Sequence, residues 1–266
     1  MDTDDTLLEQ KIRDGLATKY IGQTMLLLPT VHSTNQYLQE LDTAVVDDGF
    51  VVMAEEQTGG RGRKGRAFLS PKREGVYFSI LLKLDVRPDT RFLTICAAVA
   101  VSKAIEKVCG IRAEIKWVND IFCNGKKVCG ILAEAVVSAE AQALSAVIVG
   151  IGINTGSVPC ALGDIATSIR EATGMRGIRN QLIAEVLNQF EAVYLGHTES
   201  KSRQEMISYY QSRLFIVGKR VWTTGTARDF VATVRGIDDT GALIVQDDGG
   251  EIHHISTGEI TLIGGK

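Results

Sequence analysis

Residues 116–134 have the sequence KWVNDIFCNGKKVCGILAE. They predict a β-strand, a tight turn at Asn124-Gly125 and a second strand, because Asn-Gly between apolar runs is a strong hairpin signal. The hairpin brings the pair Asn119-Asp120 and Lys127 onto neighbouring strands. Because side chains alternate along a strand, the pattern predicts two faces: one with Lys127, Cys129 and Ile131, the other with Val128, Gly130 and Leu132.

Further predicted strands flank this hairpin on both sides. Apolar runs predict strands at Met25–Leu28, Phe50–Ala54, Val76–Leu84, Ile111–Trp117, Val128–Val137 and Ala146–Ile153. Helical spacing predicts helices at Thr34–Leu41 with Ser33 as N-cap, and at 91–108, 182–194 and 199–213. Because the strands cluster with short connections and do not alternate regularly with helices, the predicted class is α+β with a mixed sheet.

The pattern changes near Gly218 to short runs separated by glycine-rich and Asp-rich turns. These runs are 220–223, 230–237, 242–246, 252–256 and 259–263, which predict a small antiparallel barrel. We therefore divide the chain into a helical lead-in at 1–24, a main domain at 25–216 and a C-terminal barrel at 217–266.

The composition is that of an ordinary globular protein. Of 266 residues, 45% are hydrophobic, and 29 basic residues oppose 32 acidic ones. The first residues are acidic and no apolar segment follows them, so we expect no export signal. The uncharged stretch 141–163 contains Asn154, Pro159 and several glycines, and it predicts a buried strand and loop instead of a membrane span.

The cysteines and histidines do not predict a metal centre or disulfides. Five cysteines occur mostly in apolar segments without a CxxC pair, which indicates reduced thiols in a cytoplasmic protein. Four histidines never occur at the spacing of zinc ligands.

The most unusual segment is QTGGRGRKGR at residues 57–66. Six basic residues and no acidic one lie between Arg61 and Arg73. Glycines allow backbone N–H groups to approach a ligand, and guanidinium groups bind phosphate or carboxylate in a bidentate manner. An anion-binding loop is favoured over two alternatives: a solvated basic loop and an RG-type nucleic-acid tail.

Two other segments carry polar residues in apolar surroundings. Lys127 within an apolar strand indicates an anionic partner, or else an edge-strand lysine that prevents edge pairing. Asn119-Asp120 are simple turn residues or, beside a phosphate site, a position where Asp120 could hold Mg²⁺.

The segment GIGIN at residues 150–154 has two glycines within a strand, which mark close approach of a ligand or backbone. Asn154 offers a ligand both a donor and an acceptor, or else it is a turn residue. The segment does not contain the complete G-x-G-x-x-G fingerprint of dinucleotide-binding proteins.

Together these segments resemble the biotin protein ligase family, the biotin–[acetyl-CoA-carboxylase] ligases. The resemblance includes His32-Ser33-Thr34-Asn35, Gln57 with Gly60–Arg66, Lys116–Asp120, Lys127–Leu132 and Gly150–Asn154, in this order. It extends over residues 25–266, and it implies a mixed-sheet catalytic domain of the biotin/lipoate ligase type with a C-terminal SH3-like barrel.

The resemblance implies an ATP-dependent reaction in two steps. Biotin's carboxylate attacks the α-phosphate of ATP to form biotinyl-5′-AMP, and a lysine of a biotin carboxyl carrier domain then displaces AMP. Because the attack of a carboxylate on a triphosphate concentrates negative charge, cationic side chains and Mg²⁺ are expected to offset that charge. The reaction requires no nucleophilic side chain.

The resemblance also assigns roles to individual residues. Lys127 and Arg63 are implied as catalytic. Around biotin it implies Ser33, Thr34, Asn35, Gln57, Arg61, Gly62, Arg63, Lys127 and Gly130. Around the nucleotide it implies Gly60, Arg66, Lys116, Trp117, Asn119 and Asn154, with Asp120 as a ligand of Mg²⁺.

Two departures from the family are visible. Val118 stands where the family usually has proline, and we expect little functional change. Many bacterial relatives carry an N-terminal winged helix–turn–helix, whereas only a short segment precedes Met25, so we expect no DNA binding by that route and no repressor function.

Two rival functions remain open at this point. A lipoate-protein ligase shares a related fold and chemistry, although the GRGRKGR segment favours biotin. A non-catalytic nucleic-acid-binding protein is disfavoured by the formal charge of −3 and the scarcity of aromatic residues among the basic ones. An exposed edge strand could pair with the carrier domain or with a second copy of the chain to form a homodimer.

Overall fold

The computed structural model describes residues 5–43, 45–83, 90–137, 144–196, 200–226 and 228–264. The helices are α1 (Glu9–Asp14), α2 (Thr34–Gln39), α3 (Thr90–Cys109), α4 (Ile169–Thr173), α5 (Arg179–Gly196) and α6 (Ser200–Arg213). The first seven strands are β1 (Met25–Leu28), β2 (Val51–Ala54), β3 (Gly75–Lys83), β4 (Glu114–Lys116), β5 (Asp120–Cys123), β6 (Lys126–Val137) and β7 (Leu144–Asn154). The last five are β8 (Arg220–Thr224), β9 (Phe230–Ile237), β10 (Leu243–Asp247), β11 (Ile252–Ile255) and β12 (Glu259–Leu262).

The larger sheet has seven strands in the order β1-β2-β3-β7-β6-β5-β4. Only the pair β1–β2 is parallel, and the other neighbours are antiparallel. Asn124 and Gly125 both have positive φ, as the tight turn between β5 and β6 requires. The predicted α+β class with a mixed sheet and the predicted hairpin are therefore confirmed.

The two faces of this sheet are covered differently. Helices α3 and α5 pack on one face, and α3 is buried along most of its length because small and apolar residues occupy nearly all of its positions. Helix α2 contacts the other face, where Leu38 packs with Val52, Leu81 and Ile148. Ser33 caps α2 as predicted. The short α2 leaves the rest of that face available for a cavity.

The second sheet contains five antiparallel strands in the order β11-β10-β9-β8-β12. Strands β11 and β12 are the two edges of this sheet and do not pair with each other among the described residues, so the sheet is open and the closed barrel is not observed. Apolar side chains of this sheet, such as Val234 and Leu243, belong to the same core as α3. The proposed boundaries at residues 24 and 216 stay predictions.

The N-terminal segment is attached to α5 by hydrogen bonds to its backbone. The Glu191 carboxylate accepts from the N–H groups of residues 19–21, and Asn188 binds Gly15 and Ala17. Within the predicted helical lead-in, α1 is the only α-helix among the described residues. Residues 1–4 of the lead-in and 265–266 of the predicted barrel lie outside the described residues.

No helix in the described ranges is both long and apolar enough to cross a membrane. All five cysteines are free, four of them buried and Cys160 exposed.

A buried ion pair connects the N-terminal segment, the sheet and α5. Arg179 is 0% exposed, and its Nη2 lies 2.8 Å from Glu55 Oε2. Arg179 also donates to the carbonyls of Gly75 and Asp5, while Glu55 accepts from the N–H of Leu7. Because a buried charge is stable only when it is paired and hydrogen-bonded, each partner depends on the other.

We expect Arg179→Ala to lower the free energy of unfolding by about 3–5 kcal/mol, because it leaves the Glu55 carboxylate buried without its counter-ion. Chemical denaturation measures this change. The control is Lys201→Ala on the exposed surface of α6, where we expect a change within about 0.5 kcal/mol. Equal stabilities of the two variants would contradict the role of the ion pair.

Candidate active site

A cavity of about 430 Å³ lies on the face of the large sheet that α2 contacts. Its floor includes Gly130, Gly150 and Gly152, and Gly130 lies directly opposite Gly152 in the pairing of β6 with β7. A Cβ atom at Gly152 would lie 2.5 Å from the Phe68 ring, and one at Gly150 would collide with Asn35. The absence of side chains at these positions therefore makes the space, as the sequence predicted for glycines within a strand.

Polar side chains from α2 and the loop after β2 line one part of the cavity. Ser33, Thr34 and Asn35 begin α2 and are all buried. Gln57 Oε1 accepts a hydrogen bond of 2.9 Å from the Thr34 N–H, and its Nε2 donates to Ser70 Oγ at 2.8 Å. These contacts hold several donors and acceptors at fixed positions around the cavity.

The basic loop forms a short hairpin over the cavity. Phe68 N donates to the Gly60 carbonyl, and Gly62 N donates to the Arg66 carbonyl, so the two arms of the loop are paired. Arg61, Arg63 and Arg66 all line the cavity. Gly60 does not line it, and a Cβ atom at this position would collide with the Phe68 carbonyl and the Ser70 side chain in the hairpin.

The position of Lys127 corrects the predicted alternation along β6. Ile121 pairs with Cys129 but Phe122 pairs with Lys127, so Val128 is an extra residue in a β-bulge. The bulge reverses the alternation, and the Lys127 Nζ atom lies 3.5 Å from the position of a Cβ on Gly130. Lys127 therefore shares the cavity face with Gly130, whereas the prediction put it with Cys129 and Ile131.

Lys127 lies next to Asp120 in the cavity. The Lys127 Nζ atom is 2.6 Å from Asp120 Oδ1, and both side chains are partly exposed. Asp120 Oδ1 is buried and has no hydrogen bond of good geometry in the described residues. This carboxylate can therefore accept a further positive ligand.

Lys116 and Asn119 extend the polar surface along the same edge. Burial lowers the pKa of Lys116, although the neighbouring Asp120 carboxylate raises it in part. Asn119 donates to the Ile131 carbonyl at 2.8 Å and accepts from Arg63 at 3.3 Å. On β7, Asn154 donates to the Thr167 carbonyl at 3.1 Å.

Trp117 lines the cavity, and its indole N–H binds the turn between β9 and β10. Its Nε1 donates to the Gly241 carbonyl at 3.0 Å. The Trp117–Val118 peptide bond is cis, and Tyr210 donates its hydroxyl hydrogen to the Val118 carbonyl at 3.2 Å.

The second sheet contributes residues that the sequence did not predict. Glu259, Ile260 and Thr261 of β12 line the cavity. Glu259 Oε2 lies 2.7 Å from Arg66 Nη2, and Arg63 donates to the Gly258 carbonyl at 2.7 Å. The partners in these two contacts are 195 and 193 residues apart in sequence, and no local pattern signals the contacts.

An apolar wall is also missing from the sequence prediction. Phe68, Leu69, Tyr77 and Ile165 line the cavity, and Leu69 and Ile165 are exposed. Exposed large apolar side chains around a cavity are typical of a ligand site. The signal in the sequence is that Phe68 and Leu69 lie just after the basic loop, separated from it by Ala67.

The structure thus brings together all but one of the predicted site residues. Those that line the cavity are Ser33, Thr34, Asn35, Gln57, Arg61, Gly62, Arg63, Arg66, Lys116, Trp117, Asn119, Asp120, Lys127, Gly130 and Asn154. Five of the lining side chains are basic and three are acidic, so the cavity favours an anionic ligand. Their roles toward particular ligands stay predictions.

Comparisons with known proteins place the chain in a family. Residues 27–154 match the model of the biotin/lipoate A/B protein ligase family, and residues 216–262 match the biotin protein ligase C-terminal domain. The bifunctional ligase/repressor BirA of Bacillus subtilis is 36% identical over 96% of this chain and 79% of its own length. A biotin–[acetyl-CoA-carboxylase] ligase of Mycobacterium tuberculosis is 28% identical over 95% of this chain and 94% of its own.

A solved structure gives the same result. The biotin protein ligase of Aquifex aeolicus, in complex with biotin and ATP, is similar with a TM-score of 0.79 and 30% identity. The similarity covers 91% of this chain and 99% of that one. The chain is a member of the biotin/lipoate protein ligase family, and within it belongs to the biotin protein ligases.

We expect Gly152→Ala to lower the free energy of unfolding by about 1–3 kcal/mol, because the added methyl group overpacks the Phe68 ring. Chemical denaturation measures the change, and Gly249→Ala serves as the control. There the nearest atom to the added Cβ lies 3.3 Å away, on the Asp247 side chain. If both variants were equally stable, Phe68 would not be packed against the β7 backbone as described.

Proposed function

We propose that this protein joins biotin to ATP to form biotinyl-5′-AMP and then transfers the biotinyl group to a lysine of a biotin carboxyl carrier domain. One observation carries the proposal: a single cavity joins a set of fixed, uncharged donors and acceptors to a cluster of five cationic side chains. Biotin has a polar ureido ring at one end and a carboxylate at the other, so it matches this arrangement. The similarity to a ligase bound to biotin and ATP supports it.

The ureido ring is assigned to the uncharged part of the cavity. Ser33, Thr34, Asn35 and Gln57 supply hydrogen-bond partners there, and the glycines of β6 and β7 let the ring lie against the backbone. The apolar wall around Phe68 and Tyr77 suits the sulfur-containing ring and the aliphatic chain.

In the first half-reaction, a carboxylate oxygen of biotin forms a bond to the α-phosphorus of ATP. The bond from that phosphorus to the bridging oxygen of the β-phosphate breaks, and pyrophosphate leaves. Lys127 and Arg63 are proposed to hold the carboxylate and the α-phosphate together and to offset the growing negative charge. The ligand anions would then replace Asp120 as partners of Lys127.

The nucleotide is assigned to the part of the cavity beside β4 and β12. Arg66, Lys116, Trp117 and Asn119 are proposed to bind it there, together with Asn154 at the end of β7. A magnesium ion would neutralise phosphate oxygens and make pyrophosphate a better leaving group. Asp120 fits the role of its protein ligand, because Mg²⁺ is usually bound by one or two carboxylates together with phosphates.

In the second half-reaction, the amine of the carrier lysine forms a bond to the carbonyl carbon of the adenylate. The bond from that carbon to the phosphate oxygen breaks, AMP leaves, and the amine loses a proton. The carrier must bring this lysine to the cavity. The edge strand β1 is where a strand of the carrier, or of a second copy of this chain, would pair, since Ile115 of the other edge strand, β4, already pairs with Leu214.

The pairing of the basic residues argues against the nucleic-acid alternative. Arg66 and Lys64 both contact Glu259, and Lys127 contacts Asp120, so these charges belong to a site balanced by carboxylates. The proposal is confined to ligase activity, whereas the name of the Bacillus relative also includes a repressor activity.

We expect Lys127→Ala to slow adenylate formation by about 10²–10³-fold, because one preorganised charge at the reacting groups is lost. Pyrophosphate release with biotin and ATP measures the rate. The matched control is Lys126→Ala, since the neighbouring lysine does not line the cavity and donates to the Gly163 carbonyl.

Parallel incubations with lipoate, and with an apo carrier domain, distinguish the alternatives. Biotin-dependent pyrophosphate release and a mass increase on the carrier lysine are the expected results. Adenylate formed only from lipoate would favour the lipoate ligase. Undiminished pyrophosphate release by Lys127→Ala would contradict the role of Lys127.

A further inference from the structure

An apolar patch lies on the outer face of the second sheet. Trp222 of β8 is 41% exposed, and every other aromatic side chain in the described ranges is more buried than this. Trp222 pairs with Val231 on β9 and with Thr261 on β12. Ile263, which is 45% exposed, is two residues beyond Thr261. Because paired residues of antiparallel strands point to the same side, Trp222, Val231 and Ile263 share one face, and we call them the tryptophan patch.

The tryptophan patch begins where the cavity ends. Thr261 is exposed and also lines the cavity, so it lies at the mouth. Neighbouring strands of a sheet are about 4.8 Å apart, so Trp222 is one strand away from this mouth residue. On the same face of β12, Glu259 binds Arg66 of the basic loop. The patch and the cavity therefore form one continuous surface.

The composition of the patch is typical of a protein-binding surface. Single exposed apolar side chains are common and need no partner, whereas Trp222 has apolar neighbours on the strands at both of its sides. Tryptophan is also enriched among the residues that carry most of the binding energy at protein interfaces. A partner that covers Trp222 would lie beside the mouth of the cavity.

The second half-reaction indicates which partner this is. The amine of the carrier lysine must reach the carbonyl carbon of the adenylate inside the cavity. A lysine side chain has only four methylene groups, so the backbone of the carrier must come to the mouth. The carrier surface around that lysine then contacts the residues just outside the mouth, such as Trp222. No residue of β1 lines the cavity.

The charges around the mouth favour the same kind of partner. Lys64 and Arg66 both pair with the single carboxylate of Glu259, at 3.7 Å and 2.7 Å, and both are exposed. Two cations that share one carboxylate leave an excess of positive charge. Acidic side chains beside the carrier lysine would complement this charge and assist the encounter.

We propose that the tryptophan patch is the docking surface for the biotin carboxyl carrier domain, with Trp222 as its apolar anchor. The inference rests on the proposed function, because the second half-reaction requires a carrier at the mouth of the cavity. It assigns the carrier to the second sheet, and the edge strand β1 is then left for a second copy of this chain.

The test measures the two half-reactions separately in the full chain. Transfer to an apo biotin carboxyl carrier domain gives KM for the carrier, and pyrophosphate release without a carrier gives the rate of the first half-reaction. For Trp222→Ala we expect KM for the carrier to rise about tenfold or more, because an interface anchor is lost. Pyrophosphate release should stay within about twofold of wild type, because Trp222 is outside the cavity lining.

Two further variants serve as controls. Ile252→Ala removes an exposed apolar side chain from the same face of the second sheet, but on β11 at the opposite edge. It should keep the wild-type KM for the carrier. Trp222→Phe keeps an aromatic ring and should restore KM for the carrier to within about threefold of wild type.

Tryptophan fluorescence detects docking without any reaction. With a carrier domain that contains no tryptophan, burial of Trp222 should move the emission to shorter wavelength. Trp222→Phe should remove this change, because the remaining tryptophan, Trp117, is already buried. The same change on addition of single-stranded DNA, with none on addition of the carrier, would indicate a nucleic-acid surface and would overturn the inference.

The activity results separate this inference from the proposed function. If the wild type neither forms the adenylate nor modifies the carrier, the proposed function fails. If the wild type is active and Trp222→Ala keeps its KM for the carrier, the carrier docks elsewhere and only the docking surface fails. An equal loss of pyrophosphate release and of transfer in Trp222→Ala would show a structural role and would also overturn the docking surface.

Discussion

The pairing of Gly130 with Gly152 across β6 and β7 is the constraint on which the site depends. Two opposed glycines remove side chains from one face of a central part of the sheet, while the other face stays packed against α3. Phe68 lies against this bare backbone, and Asn35 occupies the equivalent space beside Gly150. The basic loop and α2, which carry these two residues, are thereby positioned over the same cavity.

The electrostatics of the cavity follow from elements far apart in the chain. Lys127 is turned to the cavity by the bulge at Val128 and is paired with Asp120, while Arg66 is paired with Glu259 of the second sheet. These pairs hold cations in fixed positions without burying an unpaired charge. Such an arrangement suits chemistry in which an anion attacks a phosphate, because fixed charges stabilise the transition state without a protein nucleophile.

The stability of the fold and the shape of the site are connected through the end of β3. Arg179 binds the carbonyl of Gly75, the first residue of β3, and pairs with Glu55 after β2. The adjacent Glu74 lines the cavity, and its carbonyl accepts from the N–H groups of Thr155 and Gly156. A buried ion pair on the core side therefore supports one edge of the cavity.

Much of the fold and of the site could be predicted from the sequence because the signals were local. Asn124-Gly125 can adopt the backbone angles of a tight turn, Ser33 can cap a helix, and glycines within a strand imply close approach. The resemblance to a family, which depends on the order of the motifs, was enough to name fifteen residues that line the cavity.

The remaining features depend on contacts between distant segments, which leave no periodic pattern in the chain. Alternation misplaced Lys127, because a bulge depends on how β5 pairs with β6. The open second sheet and the contact of Glu259 with Arg66 follow from the packing of two sheets. Ser79 contacts Thr34 and Asn35, and Glu134 contacts Asn35, across 44 to 99 residues of sequence, because the direction of a polar side chain depends on the partners that the fold brings beside it.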